Sequence, residues 1–195
     1  MTLQDDNTHG IPSLIVVLGL GNPVLTDDGV GLAVIRELEH LLYQDPIPGV
    51  VPLATTRAGF ELIDMLAGSS LAIIIDCLVM EHPVPGRVRK LEISDLNGIH
   101  RLAGSHEISL TSSFELADML GISMPSDVIV YGIEAEDTVS FSERLSPPVE
   151  AAVTPLAIEI HEYLKTQSLI HNPTFDHGER DITANRPYSF YTPWD

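Results

Sequence analysis

Residues 13–20, SLIVVLGL, form an unbroken apolar run rich in β-branched side chains, the pattern of a strand buried on both faces. Gly19-Leu20-Gly21-Asn22-Pro23 breaks the pattern. Past Thr26-Asp27-Asp28-Gly29 the spacing turns helical, with Val34/Ile35, Leu38 and Leu41/Leu42 on one face, until Pro46, Pro48 and Gly49 end it. A short strand is predicted near 50–55, then a short helix with Leu62, Ile63 and Leu66 inward. Residues 71–76, LAIIID, read as a second wholly apolar strand that ends on a carboxylate. Alternating charged and apolar residues over 87–93 predict an edge strand with one wet face. A loop through Gly98 and Gly104 leads to a helix carrying Leu110, Phe114, Ala117 and Leu120, and DVIVYGI at 127–133 is another buried strand. The last helix, about 147–165, aligns Val149, Val153, Leu156, Ile160 and Leu164; Pro155 inside it removes one backbone bond and predicts a kink.

Apolar strands alternating with amphipathic helices specify an α/β fold in three layers, a twisted, mostly parallel sheet with helices on both faces. The 195 residues suffice for one such domain, placed at 13–165 behind a polar leader at 1–12. The tail at 166–195 is polar, yet Phe175, Tyr188, Phe190, Tyr191 and Trp194 are five of the chain's eleven aromatics. Prolines at 173, 187 and 193 disfavour a long helix there. The expectation is an extended tail whose segment 188–194 packs on its own body or on a second copy, either away from the chemistry or close enough to limit access to it. Oligomeric state stays open.

Charge narrows the function classes. Lys and Arg number 10 against 28 Asp and Glu, a formal net charge of −18. Such a body repels phosphate backbones and anionic headgroups, which argues against nucleic-acid and membrane-surface partners. One cysteine, Cys77, permits no internal disulfide. With neither a secretory signal nor a run of about 18 apolar residues, the expected location is cytoplasmic.

The glycine turn after the first strand stands where a dinucleotide fingerprint would, but Val24 occupies the place of its third small residue and no acidic residue closes a second strand in the required setting. What the glycines secure is exposed backbone at the carboxyl end of a buried strand, where open α/β sheets hold ligands. Three side chains converge on that edge: Asp28 at a helix start, Asp76 at a strand end and His106 in a loop before a helix. Singly, they read as a helix cap, a turn former and a solvated histidine. Together, two carboxylates and an imidazole suit a divalent ion of intermediate softness with positions left open. Cys77 reads as a buried apolar filler. Ser105-His106 is half a triad whose members are too close in sequence to pair, and His9, His82, His171 and His177 sit in loops or ends.

Val17-Leu18-Gly19-Leu20-Gly21-Asn22 with Thr26-Asp27-Asp28-Gly29-Val30-Gly31 resembles the opening of the nickel–iron hydrogenase maturation proteases. Ile74-Ile75-Asp76 with Pro85-Gly86, then Ser105-His106-Glu107-Ile108-Ser109-Leu110, Val130-Tyr131-Gly132-Ile133 and Ser146-Pro147-Pro148-Val149 with Pro155-Leu156, resemble its later elements in the same order. The resemblance runs from about Leu14 to Leu164. It implies a phosphorylase/hydrolase-like twisted mixed sheet. It also implies an aspartic-type endopeptidase that removes a C-terminal extension from the large-subunit precursor of a nickel–iron hydrogenase once nickel is inserted. By the same resemblance Asp28, Asp76 and His106 contact the metal, Asp28 and Asp76 are catalytic, and the nickel arrives with the precursor, another divalent ion being able to substitute. Departures are Thr55-Thr56-Arg57-Ala58-Gly59 where the family is rich in Gly-Gly-Thr, and Ala135 in place of a proline. Two rival readings stand beside it. One is a non-catalytic nickel-sensing maturation chaperone. The other, a peptidyl-tRNA-hydrolase-like hydrolase, shares the opening glycines but follows them with an Arg-His-Asn stretch where this chain has Thr26-Asp27-Asp28.

Overall fold

The computed structural model describes residues 14–57, 59–93 and 110–171. Along the chain stand β1 (Ile15–Leu20), a 3-10 turn (Thr26–Gly29), α1 (Val30–Gln44), β2 (Val50–Thr55), α2 (Glu61–Leu66), β3 (Leu71–Leu78), β4 (Val88–Glu92), α3 (Leu110–Met119), β5 (Asp127–Glu134) and α4 (Pro147–His171). The strands form one sheet in the order β2-β1-β3-β5-β4. β2, β1, β3 and β5 are parallel, while β4 runs antiparallel at the edge, as its alternating charges predict. Every residue of β1 and β3 is buried, because both strands are central and covered on both sides.

The period-two alternation of the strands sorts the core into two layers. Ile15, Val17, Ile73, Ile75, Cys77, Tyr131 and Ile133 face α1 and α4. Val16, Leu18, Ala72, Ile74 and Val130 face Leu62 and Leu66 of α2 and Leu110 of α3. Strand order explains why both faces are covered. The chain moves from β1 outward to β2, then back across β1 to β3, and right-handed crossovers in opposite directions place their helices on opposite faces. Connections leaving β1 and β3 therefore diverge, and a crevice opens between the carboxyl ends of these two strands.

The first turn of α1 closes the floor of that crevice. Gly31 lies so near the carbonyls of Leu20 and Ile75 that a Cβ there would collide with both, and Gly19 lies equally near the Gly31 carbonyl. Only glycines let the helix sit directly against the ends of β1 and β3. At its far end α1 is tied to α4, where Lys165 Nζ pairs with Asp45 at 2.8 Å and the buried His161 ring meets the Asp45 carbonyl at 3.0 Å.

Several element ends differ from the sequence reading. β3 continues through Cys77 and Leu78, which pair with Ile133 and Glu134 of β5, so Asp76 lies inside the strand rather than at its end. α4 runs to His171, past residue 165, so the stretch assigned to the tail begins within the helix. Pro155 lies exposed within α4, inside the helix as the sequence reading places it. Leu120 lies beyond α3 and is exposed. Segments 1–13 and 172–195, including the expected docking stretch 188–194, lie outside the described residues. Among the described residues no helix is long and apolar enough to cross a membrane.

The α1–sheet contact yields a direct test. Gly31→Ala should lower stability by about 2–3 kcal/mol, a fall in Tm of roughly 5–10 °C by thermal melt, because the methyl meets main-chain oxygens that have no rotamer to yield.

Candidate active site

The crevice between β1 and β3 receives one carboxylate from each side. Asp28 arrives on the 3-10 turn that follows β1, and Asp76 projects from β3. Both are 3% exposed. The turn is folded back on its own approach: Asp28 N–H donates to the Leu25 carbonyl at 2.8 Å, and Asn22 N–H donates to the Asp28 carbonyl at 3.2 Å. Gly21 adopts φ +147° and lies against the Asp28 carbonyl, where no side chain fits. Thr26 has φ +27°, an unfavourable value for a β-branched residue, and its hydroxyl is held by donating to the Ser140 carbonyl at 2.7 Å. Gly29 stands at the N-cap of α1 with no side-chain cap bond. Asp28 therefore does not stand at the N-cap of α1, and the turn is built otherwise.

What builds it is Asp27, which the sequence reading included in the turn without assigning it a role. Its side chain is fully buried and accepts four hydrogen bonds. Oδ2 accepts from the N–H groups of Glu136 and Asp137 and from Ser146 Oγ, each at 2.9 Å, and Oδ1 accepts from Ser146 N–H at 2.7 Å. Its own N–H donates to the Asp137 carbonyl at 3.0 Å. Ser146 precedes Pro147 and accepts the first helical bond of α4, from Glu150 N–H, through its carbonyl. Its hydroxyl, which would ordinarily cap that helix, is committed to Asp27 instead. One carboxylate thus joins the turn after β1, the loop after β5 and the start of α4. No spacing rule links positions 27, 136 and 146, so only the folded chain could show this.

Asp76 is the electrostatically unusual group. Burial pushes its carboxyl well above the ordinary carboxylate range; the Cys77 N–H, donating to Oδ1 at 2.7 Å, opposes this, and the nearby Asp28 charge adds to it. The two sequence-predicted aspartates are therefore brought together. His106 lies outside the described residues. α3 begins four residues later with Leu110, which packs in the layer of Ala72 and Ile74, the side of β3 that Asp76 shares by alternation. Among the described residues no three His, Cys, Asp or Glu side chains converge to hold a metal ion. Cys77 is packed in the core layer beneath α1 and α4, and burial, with the charges of Asp76, Asp28 and Asp27, raises its thiol far out of the nucleophilic range. His82 is exposed in the loop after β3.

That loop is fastened by a second buried acid. Glu134, the last residue of β5, accepts from Val84 N–H and from Arg89 Nε at 2.7 Å. Burial alone would raise its carboxyl, but these bonds and the charges of Arg89 and Arg87 outweigh it and hold it below the usual range. Among the described residues, no basic group joins those that set the titration of Asp76.

Fold and site together define an α/β protein with an acidic crevice at the switch point of its sheet. The chain belongs to the hydrogenase maturation protease family, described as HycI, which matches residues 34–163. It is similar to the hydrogenase expression/formation protein HupD of Thiocapsa roseopersicina, 24% identical over 184 residues that cover 87% of this chain and 80% of that one. It is also similar to the hydrogenase 2 maturation protease of Escherichia coli strain K12, 26% identical over 142 residues, 72% of this chain and 84% of that one. The solved structure of the hydrogenase maturating endopeptidase HybD from E. coli superposes with a TM-score of 0.66 at 26% identity, over 79% of this chain and 93% of that one. The chain is thus a peptidase of hydrogenase maturation.

Two substitutions separate the scaffold acid from the site acid. In Asp27→Asn an amide NH2 would face donors that now bind a carboxylate oxygen, leaving buried N–H groups unpaired. Stability should fall by about 2–3 kcal/mol, read as a Tm lower by roughly 5–10 °C. Asp76→Asn should do the reverse, since the amide oxygen still accepts from Cys77 N–H and a poorly solvated charge is removed. A carboxyl raised in the native state costs nothing below its unfolded pKa, and the cost grows as pH rises toward the folded value. Melts of the Asn variant and the parent should coincide near pH 4 and diverge by about 2–4 °C in favour of the variant by pH 7. A variant less stable than the parent at pH 7 would make the Asp76 carboxylate a structural group.

Proposed function

We propose that Asp28, Asp76 and His106 contact the nickel carried by the large-subunit precursor of a nickel–iron hydrogenase, and that the enzyme then cuts off the precursor's C-terminal extension at a bond held beside them. The observation that carries this reading is the pairing of two buried carboxylates, one raised by burial and by the other's charge, at the carboxyl ends of β1 and β3. Such a pair is unfavourable by itself and becomes favourable when a cation is delivered to it. The metal is cargo of the substrate, so its arrival with the precursor would mark which molecules are ready to be cut.

The chemistry open to the chain's own groups is general acid–base catalysis. A carboxyl raised toward the working pH can take a proton from an attacking water and return it to the leaving amine, which an ordinary exposed aspartate does poorly. Asp76 has that property. Nickel bound beside the scissile peptide would add polarisation of its carbonyl.

Mixing the enzyme with nickel-loaded and nickel-free precursor and weighing the products tests the reading. Cleavage confined to the loaded form is expected, and Asp76→Asn should reduce it at least 100-fold, on the order of the general acid–base contribution. Equal cleavage of both forms would overturn the role of nickel. Binding without cleavage of either would establish a nickel-sensing chaperone instead.

A further inference from the structure

Beside the site the chain leaves large apolar side chains in water on a loop that is otherwise tied down. Phe141 is 87% exposed and Val139 is 80% exposed; Val24, at 40%, adjoins them where Leu25 bridges residues 141 and 142. The backbone beneath is held at many points. Val139 and Ser140 donate their N–H groups to Asp137 Oδ1 at 2.9 and 3.0 Å. Ser142 N–H donates to the Val24 carbonyl at 3.1 Å, and Thr26 Oγ1 donates to the Ser140 carbonyl at 2.7 Å. Asp27 grips the start of the same loop through the N–H groups of Glu136 and Asp137.

Apolar side chains scattered singly on a surface need no explanation. An aromatic and a β-branched residue two positions apart, on a strap hydrogen-bonded to the turn that carries Asp28, form a lip on the crevice. Glu136 and Glu143, both exposed, border it, so an apolar centre sits within a polar rim. The strap's bonds also limit how far it can fold these side chains inward.

We propose that this lip, Val139 and Phe141 with Val24, docks an apolar segment of the large-subunit precursor next to the bond that is cut. The proposal rests on the reading of this chain as a peptidase acting on that precursor. A protein whose peptide bond lies beside Asp28 must meet the turn at 24–28, and with it the strap bonded to that turn. A second copy of this chain seated on the same lip would crowd the crevice and compete with substrate. The precursor is therefore the occupant that the position favours.

The test uses the full-length enzyme, its Val139→Ser/Phe141→Ser variant and nickel-loaded precursor. Precursor binding is measured by biolayer interferometry, and cleavage rates are measured across precursor concentrations. The expected result is a Kd and a KM raised about tenfold or more, with kcat within about twofold and Tm within about 1 °C, as for truncation of an exposed anchor residue. An unchanged Kd overturns the proposal, and if the parent still cuts the precursor the assigned function stands without it. Loss of kcat at constant KM also overturns it, by making the strap part of the catalytic arrangement. A Tm several degrees lower overturns it too, since the side chains are then covered by the chain itself. A parent that binds but never cuts defeats the assigned function, while weaker binding by the variant would still uphold the lip.

Discussion

The Asp27 carboxylate is the interaction on which the site depends. Taking a carboxylate out of water is costly unless its oxygens are saturated by donors, and here three N–H groups and a hydroxyl saturate them. Those donors come from the loop after β5 and the start of α4, more than a hundred residues away in the chain. Removing any one leaves buried polar groups without partners, so turn, loop and helix start are held as one piece. Because Asp28 is the next residue, its position is inherited from this arrangement.

Beneath it, the glycine contacts of α1 perform the complementary task by bringing main chain close to main chain. Gly31 seats the helix on the carbonyl ends of β1 and β3, and Gly19 keeps the strand from pushing it away. The result is a shallow acidic crevice whose walls have little freedom. Asp76 is then tolerated at a buried position in a central strand, where it is a liability to folding. Among the described residues no cation pairs with it, whereas the buried Glu134 nearby is stabilised by arginines and a backbone N–H. A buried acid beside another acid departs from what stability alone favours, the pattern that marks functional sites.

Much of this was legible in the sequence. Continuous apolar runs marked β1, β3 and β5 as central strands, alternating charges marked β4 as an edge, and helical spacing located α1 and α4, because burial on one or two faces leaves its period in the residues themselves. Asp28 and Asp76 were recognisable as candidates because each is an acid at the carboxyl end of an apolar strand or just beyond it. The ends of elements were less legible. β3 gained Cys77 and Leu78 from the length of its neighbour β5, and α4 passed residue 165, since pairing partners and solvent access decide where an element stops.

Local pattern alone thus determined the layers and the strands that would be buried, because each depends only on periodic contact with water or core. Tertiary structure decided that Asp28 and Asp76 share one crevice, that Asp27 ties the turn to the loop after β5 and the start of α4, that the hydroxyl of Ser146 serves Asp27 rather than its own helix, and that Phe141 stands in water. Each of these rests on contacts between segments far apart in the chain, and no periodicity within a segment records which distant donor its side chain will meet.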